Sequence, residues 1–275
     1  MEEPLVLLRQ GDFRMAGPSA IPNGAMIDFP KKPQCENMPA DEPDRRFMAM
    51  PAYLGGRFST TGVKWYGSNL ANRDKDLPRS IRLFNLNDTG APLVVMSGNL
   101  VSAYRTGAIL GVAVKHLARE DSRVSGIVGP GVIGRAVTEA PLVLRPGIDC
   151  IVVKGVDEAD VQRYADHIQP RFPQIQSIEA AQSIEEAARE SDIMALAVTT
   201  DGSGSEAFPY INHEWLKPGA LLLHPSAVRY DDEFFTSGDA RMVVESWRLY
   251  DAWADEYAIR PMRTSALWAH TGMNF

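Results

Sequence analysis

Residues 125–138 read Ser-Gly-Ile-Val-Gly-Pro-Gly-Val-Ile-Gly-Arg-Ala-Val-Thr, and that order leaves a chain few ways to fold. A short apolar run leads into Gly129, Gly131 and Gly134, spaced as G-x-G-x-x-G, and a helical pattern follows. Strand, tight turn and helix are expected in succession. The first glycine permits the turn, the second lets the backbone approach a pyrophosphate, and the third lets helix and strand pack closely. The opening turn of such a helix offers unpaired N–H groups and a partial positive charge to phosphates. Glycine-rich turns are common, so the motif alone is a weak signal. With both flanks right, Gly129, Pro130, Gly131, Val132, Ile133 and Gly134 read as a dinucleotide-binding turn.

The rhythm from Arg123 onward agrees. Strands at 124–128, 149–154, 176–178 and 193–198 alternate with helices at 133–144, 159–172 and 183–190. Leu216-Lys217-Pro218-Gly219 then turns into a strand at 220–224, a short helix follows at 231–235, and a last strand is expected at 241–245. Alternation of this kind predicts a doubly wound, Rossmann-type parallel sheet over residues 120–246. Thr199, just past the fourth of these strands, joins the candidate cofactor residues. NAD sites place an acid at the end of the second strand for the ribose 2′-hydroxyl. Here Lys154 and Gly155 stand there, and Asp157 comes only further on. That tilts an NAD(P) cofactor towards NADP; a strand-end lysine without a role is the plain alternative.

The region before Arg123 has a different rhythm. Leu5–Leu8 is apolar but short, and residues 25–29 can form a strand. Residues 47–54 and 58–66, broken by Gly55-Gly56, read as a hairpin, and residues 80–86 and 92–97 as a second one around Asn87-Asp88-Thr89-Gly90. This is a mainly antiparallel layer. Residues 100–119 form the first convincing helix and carry the chain into the nucleotide domain. The tail, 247–275, sets tryptophans and tyrosines at helical spacing, as a helix packing on the core would.

Charge and cysteine usage narrow the partners. A net charge of −7 argues against nucleic acid and anionic membranes as main partners. Cys35 and Cys150 make no metal-ligand spacing, and neither do His116, His167, His213, His224 and His270. No apolar run reaches spanning length and no signal peptide is evident, so a cytoplasmic protein is the expectation. Ser203-Gly204-Ser205 lacks the strand–turn–helix frame of a nucleophile elbow.

Six stretches carry a resemblance: Met50-Pro51-Ala52-Tyr53, Gly62-Val63-Lys64, Asp88-Thr89-Gly90-Ala91-Pro92, Arg105-Thr106-Gly107-Ala108, the Gly129 loop and Trp215-Leu216-Lys217-Pro218-Gly219. In order and distance they resemble the ornithine cyclodeaminase/mu-crystallin family. The resemblance implies a two-domain enzyme. Residues 1–119, joined by 247–275, would bind a small amino or imino acid and form a homodimer, while residues 120–246 would hold NAD(P). It also implies a basic pocket. Lys64 and Arg105 match its lysine and helix arginine, Thr106 follows, and Ser80 stands roughly where a polar residue lies beyond the lysine. A further upstream arginine falls on Arg46 or Arg14, with Arg46 favoured. A planar guanidinium grips a carboxylate through two parallel hydrogen bonds, and a lysine adds a compact charge. From the residues alone, Arg105 reads equally as a salt-bridge residue near a helix start, and Lys64 as a snorkelling lysine beside Trp65.

The cyclodeaminases of the family carry an aspartate in the loop after the Pro-Gly turn; here that loop is His224-Pro225-Ser226-Ala227-Val228-Arg229, without an acid. His224 could be a proton donor at the crevice or a satisfied structural histidine. The resemblance also implies a chain that continues past residue 275 and folds back onto the β layer. The leading expectation is an NAD(P)-dependent oxidoreductase acting on a C–N bond, with Lys64 and Arg105 as catalytic and substrate-anchoring residues. A cyclodeaminase-type ammonia-lyase and a non-catalytic binder of NAD(P) and a small ligand are the alternatives.

Overall fold

The computed structural model describes residues 1–16, 24–27, 29–41, 46–68, 80–87, 89–199, 205–231, 233–234, 237–238 and 240–246. Two sheets of opposite character organise it. Phe13–Met15 (β1), Ala25–Met26 (β2), Arg46–Leu54 (β3), Thr60–Ser68 (β4), Ser80–Asn87 (β5) and Pro92–Ser97 (β6) form an antiparallel sheet in the order β1-β3-β4-β5-β6, with β2 also on β3. Val124–Val128 (β7), Cys150–Lys154 (β8), Ser177–Ala180 (β9), Ile193–Leu196 (β10) and Leu221–Leu223 (β12) form a parallel sheet in the order β12-β10-β7-β8-β9. The order reverses between β7 and β10, which makes their carboxyl ends the switch point where α/β sheets bind ligands. Tyr210–Ile211 (β11) and Arg229–Tyr230 (β13) pair parallel in a separate two-stranded sheet that the sequence pattern did not reveal.

The parallel strands are apolar runs because helices cover both faces. On one face Ile127, Ile151, Val153 and Leu223 pack against Val114, Val137, Tyr164 and Ile168, from helices Asn99–Leu117 (α2), Val132–Leu144 (α3) and Glu158–Ile168 (α4). On the other, Val128, Val152, Met194 and Leu196 pack against Ala187 and Ala188 of Ile184–Glu190 (α5) and against Ile211, Val228 and Tyr230.

Helix α2 joins the two sheets. Its start is fastened to β5, where the Gly98 N–H donates to the Ile81 carbonyl at 2.9 Å and the Asn99 side chain accepts from the Ile81 N–H at 3.0 Å. Further along it lies flat on α3: a Cβ at Gly107 would stand 2.2 Å from the Ala136 carbonyl oxygen. Only glycine permits that approach, and it fixes how the antiparallel layer sits beside the nucleotide-binding face.

Three expectations change. The N-terminus is a helix, Glu2–Gln10 (α1), and not merely a short apolar stretch. Its Glu2 bonds Lys115 and His116 of α2, its Leu7 lies beneath Gly56, and Gly11 ends it in the left-handed region, so tertiary contacts complete a helix too short to persist alone. Residues 241–245 run as irregular chain, not as a last strand. The strand beginning at Ala25 stops at Met26. Part of the helix expected at 231–235, and the tail 247–275, lie outside the described residues.

Candidate active site

The glycine loop leaves β7 and enters α3 at the switch point. The Gly129 N–H donates to the Lys154 carbonyl at 3.0 Å, and the Ala197 N–H to the Val128 carbonyl at 2.8 Å, so the ends of β7, β8 and β10 are tied together. Each glycine has its own reason. Gly129 has φ +84°, and a Cβ there would lie 2.5 Å from the Ala197 carbonyl oxygen. A Cβ at Gly134 would meet the Gly129 carbonyl oxygen at 2.2 Å. At Gly131 nothing lies within 4 Å, so this position opens outward. No side chain caps α3, and Val132 and Ile133 are exposed beside the opening. An open cradle before an uncapped helix start suits the pyrophosphate of a dinucleotide. Pro130 is buried within the turn, and Thr199 is exposed just past β10.

Lys154 ends β8 and is half-buried. Alternation along β8 turns Ile151 and Val153 towards α2–α4, and Val152 towards α5. Lys154 therefore falls on the α5 side of the sheet. The next position, Gly155, faces α4: a Cβ there would lie 3.0 Å from the Asp160 Cβ.

The basic pair comes together from different elements. Lys64 stands mid-strand in β4, in register with Met50 and Leu83, and Leu83 in turn with Met96. This row shares the sheet face that meets α2, because Leu83 packs beneath Gly98 at the start of that helix. The Lys64 ammonium lies 5.0 Å from the centre of the Tyr66 ring. Burial, and then repulsion from Arg105, pulls its pKa below the usual ammonium range. Arg105 projects from α2. Its side chain still meets solvent, yet the surrounding protein lowers its pKa, with Glu245 acting in the opposite direction. Among the described residues neither cation has a carboxylate at ion-pair distance. Two partly desolvated, like-charged groups near each other, with no carboxylate partner among the described residues, are disposed to attract an anion.

The remaining candidates divide. Thr106 is half-buried, and its hydroxyl donates to the Ser102 carbonyl at 2.9 Å, which leaves only its acceptor capacity. Arg14 belongs to the opposite face of the sheet, paired with Tyr53 and lining a cavity of about 610 Å³ with Val63 and Phe84. Its guanidinium donates to the Gly11 and Phe13 carbonyls. Arg46 opens β3 opposite Ser68, an even number of positions from Met50, which pairs with Lys64. Ser80 opens β5. The side chains of Arg46 and Ser80 lie outside the described residues.

His224 is turned inward against Tyr230, whose hydroxyl it bonds, and Tyr230 stacks on Phe234 at 4.0 Å. Burial lowers the His224 pKa to about 4, which favours the neutral ring. Asp231 accepts from the His213 and Phe234 N–H groups and pairs with the His213 ring at 2.8 Å. It is not turned to the crevice in place of the missing loop acid. Ser226 is a residue that sequence reasoning missed. It donates to the Leu196 carbonyl at 2.6 Å and accepts from the Val198 N–H at 3.2 Å, holding the loop after β12 to the end of β10. Glu245 was also missed, because its relation to Arg105 joins segments far apart in sequence.

Among the described residues, no three His, Cys, Asp or Glu side chains are placed to hold a metal ion, and no helix is long and apolar enough to cross a membrane. A 3-2-1-4-5 parallel sheet with its glycine loop at the switch point, joined by α2 to an antiparallel sheet that carries a basic pair, defines a two-sheet dinucleotide-fold protein. The chain belongs to the ornithine cyclodeaminase/mu-crystallin family, whose pattern matches residues 1–261. It is 29% identical over 264 residues to the N-((2S)-2-amino-2-carboxyethyl)-L-glutamate dehydrogenase of Staphylococcus aureus, covering 90% of this chain and 76% of that one. The structure of Thermococcus litoralis Δ1-pyrroline-2-carboxylate reductase in complex with NADH and L-proline superposes with a TM-score of 0.66 and 26% identity, over 83% of this chain and 62% of that one. An archaeal alanine dehydrogenase dimer with bound NAD superposes with a TM-score of 0.61 and 26% identity, over 80% of this chain and 59% of that one. The chain thus spans about three fifths of the length of these two relatives of known structure.

Proposed function

We propose that this protein is an NAD(P)-dependent oxidoreductase acting on the C–N bond of a small amino or imino acid. The observation that carries the reading is the convergence of Lys64 and Arg105, unpaired among the described residues, between the antiparallel sheet and α2. The three relatives named above support it, since each acts on an amino or imino acid by its name, and two hold NADH or NAD. In this reading Arg105 grips the substrate carboxylate and Lys64 adds a second charge. The lowered pKa of Lys64 also suits it to exchange a proton with the substrate nitrogen. A nicotinamide dinucleotide, when bound, supplies or accepts the hydride. Gly131 and the first turn of α3 hold its pyrophosphate. The absence of a strand-end acid favours NADP over NAD.

The cyclodeaminase alternative is disfavoured by the loop after β12. It has no acid of its own, and Asp231 is engaged by His213 and Phe234. The same reading includes a homodimer through the outer face of the antiparallel sheet, where Trp65, Leu93 and Val95 are exposed.

The test is a screen of amino acids, N-substituted amino acids and cyclic imino acids for change in nicotinamide absorbance, in both directions and with both dinucleotides. Turnover of a member of these classes, lost in Lys64→Ala and Arg105→Ala, is the expected result. Turnover unchanged in both variants would place the anchor elsewhere.

A further inference from the structure

We propose that Arg135, and not Lys154, receives the ribose 2′-phosphate of an NADP-type dinucleotide; this rests on the dinucleotide reading of the glycine loop given above. An NAD site places a carboxylate just past the end of its second strand, here β8. That position is Gly155, where a Cβ would lie 3.0 Å from the Asp160 Cβ and 3.2 Å from the Asp157 carbonyl oxygen. The backbone thus closes against α4 where an acid would stand.

The two nearest acids are engaged in starting α4. Asp157 accepts from the Asp160 N–H at 2.8 Å as the helix cap. Asp160 accepts from the Val156 N–H at 3.2 Å and is paired with Arg163, which balances its charge. Both carboxylates are thus committed to the start of α4.

Arg135 lies directly after Gly134 in the first turns of α3, on the α4 side. Burial pushes the Tyr164 hydroxyl of α4 up, and the Arg135 charge acts against that shift, so the guanidinium lies within electrostatic reach of α4. Tyr164 is one helical turn from Asp160 and Val161, the residues that crowd Gly155. The Nε of Arg135 is buried with no hydrogen-bond partner, and no described carboxylate pairs with its guanidinium. An unpartnered planar fork beside α4, the helix against which Gly155 closes, suits a phosphate. Lys154, on the α5 side of β8, does not share that face.

Titration calorimetry with NADPH, NADH and adenosine 2′,5′-bisphosphate tests this on the parent protein and on Arg135→Gln, Arg135→Lys and Lys154→Gln, each checked by its thermal melt. The parent should prefer NADPH. Arg135→Gln should weaken NADPH and the bisphosphate roughly tenfold to a hundredfold, as loss of a charged hydrogen-bond partner does, while NADH stays within about twofold. Arg135→Lys should recover only part of the loss and serves if the glutamine variant fails to fold. Lys154→Gln should leave the NADPH-to-NADH ratio unchanged. A parent that binds NADH as tightly as NADPH overturns the assignment, as does a ratio that moves with Lys154 and not with Arg135. If neither dinucleotide binds the parent, the dinucleotide reading itself has failed and takes this proposal with it.

Discussion

Lys64 and His224 are both shifted by burial, and each shift sets a pH window. For Lys64, burial and Arg105 favour the neutral amine, whereas a bound carboxylate favours the ammonium. Substrate affinity is therefore expected to fall as pH rises through the depressed Lys64 pKa, below the ordinary lysine range, with proton uptake on binding in that window. A KM–pH profile checks this, and Lys64→Arg should remove the alkaline limb because guanidinium does not titrate there. Truncation of either anchor to alanine should lower kcat/KM by roughly 30-fold to several thousand-fold, since the other partner of a desolvated carboxylate pair is left alone. Arg105→Lys should recover little. For His224, the folded pKa of about 4 lies below the ordinary histidine value. The unfolded chain then binds the extra proton, so stability is complete above about pH 6.5 and declines as pH falls towards 4. Between pH 7 and pH 5 this amounts to roughly 2 kcal/mol. Urea unfolding at the two pH values should show that difference in the parent and a smaller one in His224→Gln.

The helices and turns around the glycine loop separate binding from folding. Gly131 faces open space, whereas Gly134 and Gly107 face carbonyl oxygens at 2.2 Å. Gly131→Ala is expected to fold with a melting temperature near that of the parent and to lose dinucleotide affinity, because the new methyl group stands where a pyrophosphate approaches. Gly134→Ala and Gly107→Ala are expected to lose about 1–3 kcal/mol of stability by overpacking. Gly107→Ala should also raise the KM for substrate, since it pushes α2, and Arg105 with it, away from α3. Paired calorimetric melts and nucleotide titrations separate the two outcomes.

At the scale of the whole molecule, the outer face of the antiparallel sheet requires an explanation. Trp65 is 57% exposed, Leu93 60% and Val95 63%, on the same face as Pro51, Val63 and Phe84. A row of that kind on one sheet face favours association. Light scattering is expected to give a dimer at micromolar concentration, and Val95→Asp, which charges the middle of the face, is expected to give a folded monomer. A monomeric parent would leave this face without its proposed partner.

The local patterns of this chain determined much of the outcome. G-x-G-x-x-G between a strand and a helix specified the turn, because Gly129 needs positive φ and Gly134 needs close packing, both properties of the backbone itself. Apolar runs alternating with helical stretches specified the parallel sheet, and the short stretches around Lys64 and Arg105 carried the family resemblance that singled those two residues out. Other features needed the folded chain. Helix α1 persists through contacts with Gly56, Lys115 and His116, and the run at 241–245 pairs with no strand among the described residues. Arg14 reads like Arg46 in sequence, and only the register of β1 on β3 separates it from Lys64 by a full sheet. The same is true of Lys154 and Gly155, adjacent in sequence and on opposite faces of β8. Local pattern specifies backbone conformation through φ, ψ and periodicity, whereas the direction of a side chain and the charges it meets depend on strand partners and helix crossings distant in sequence.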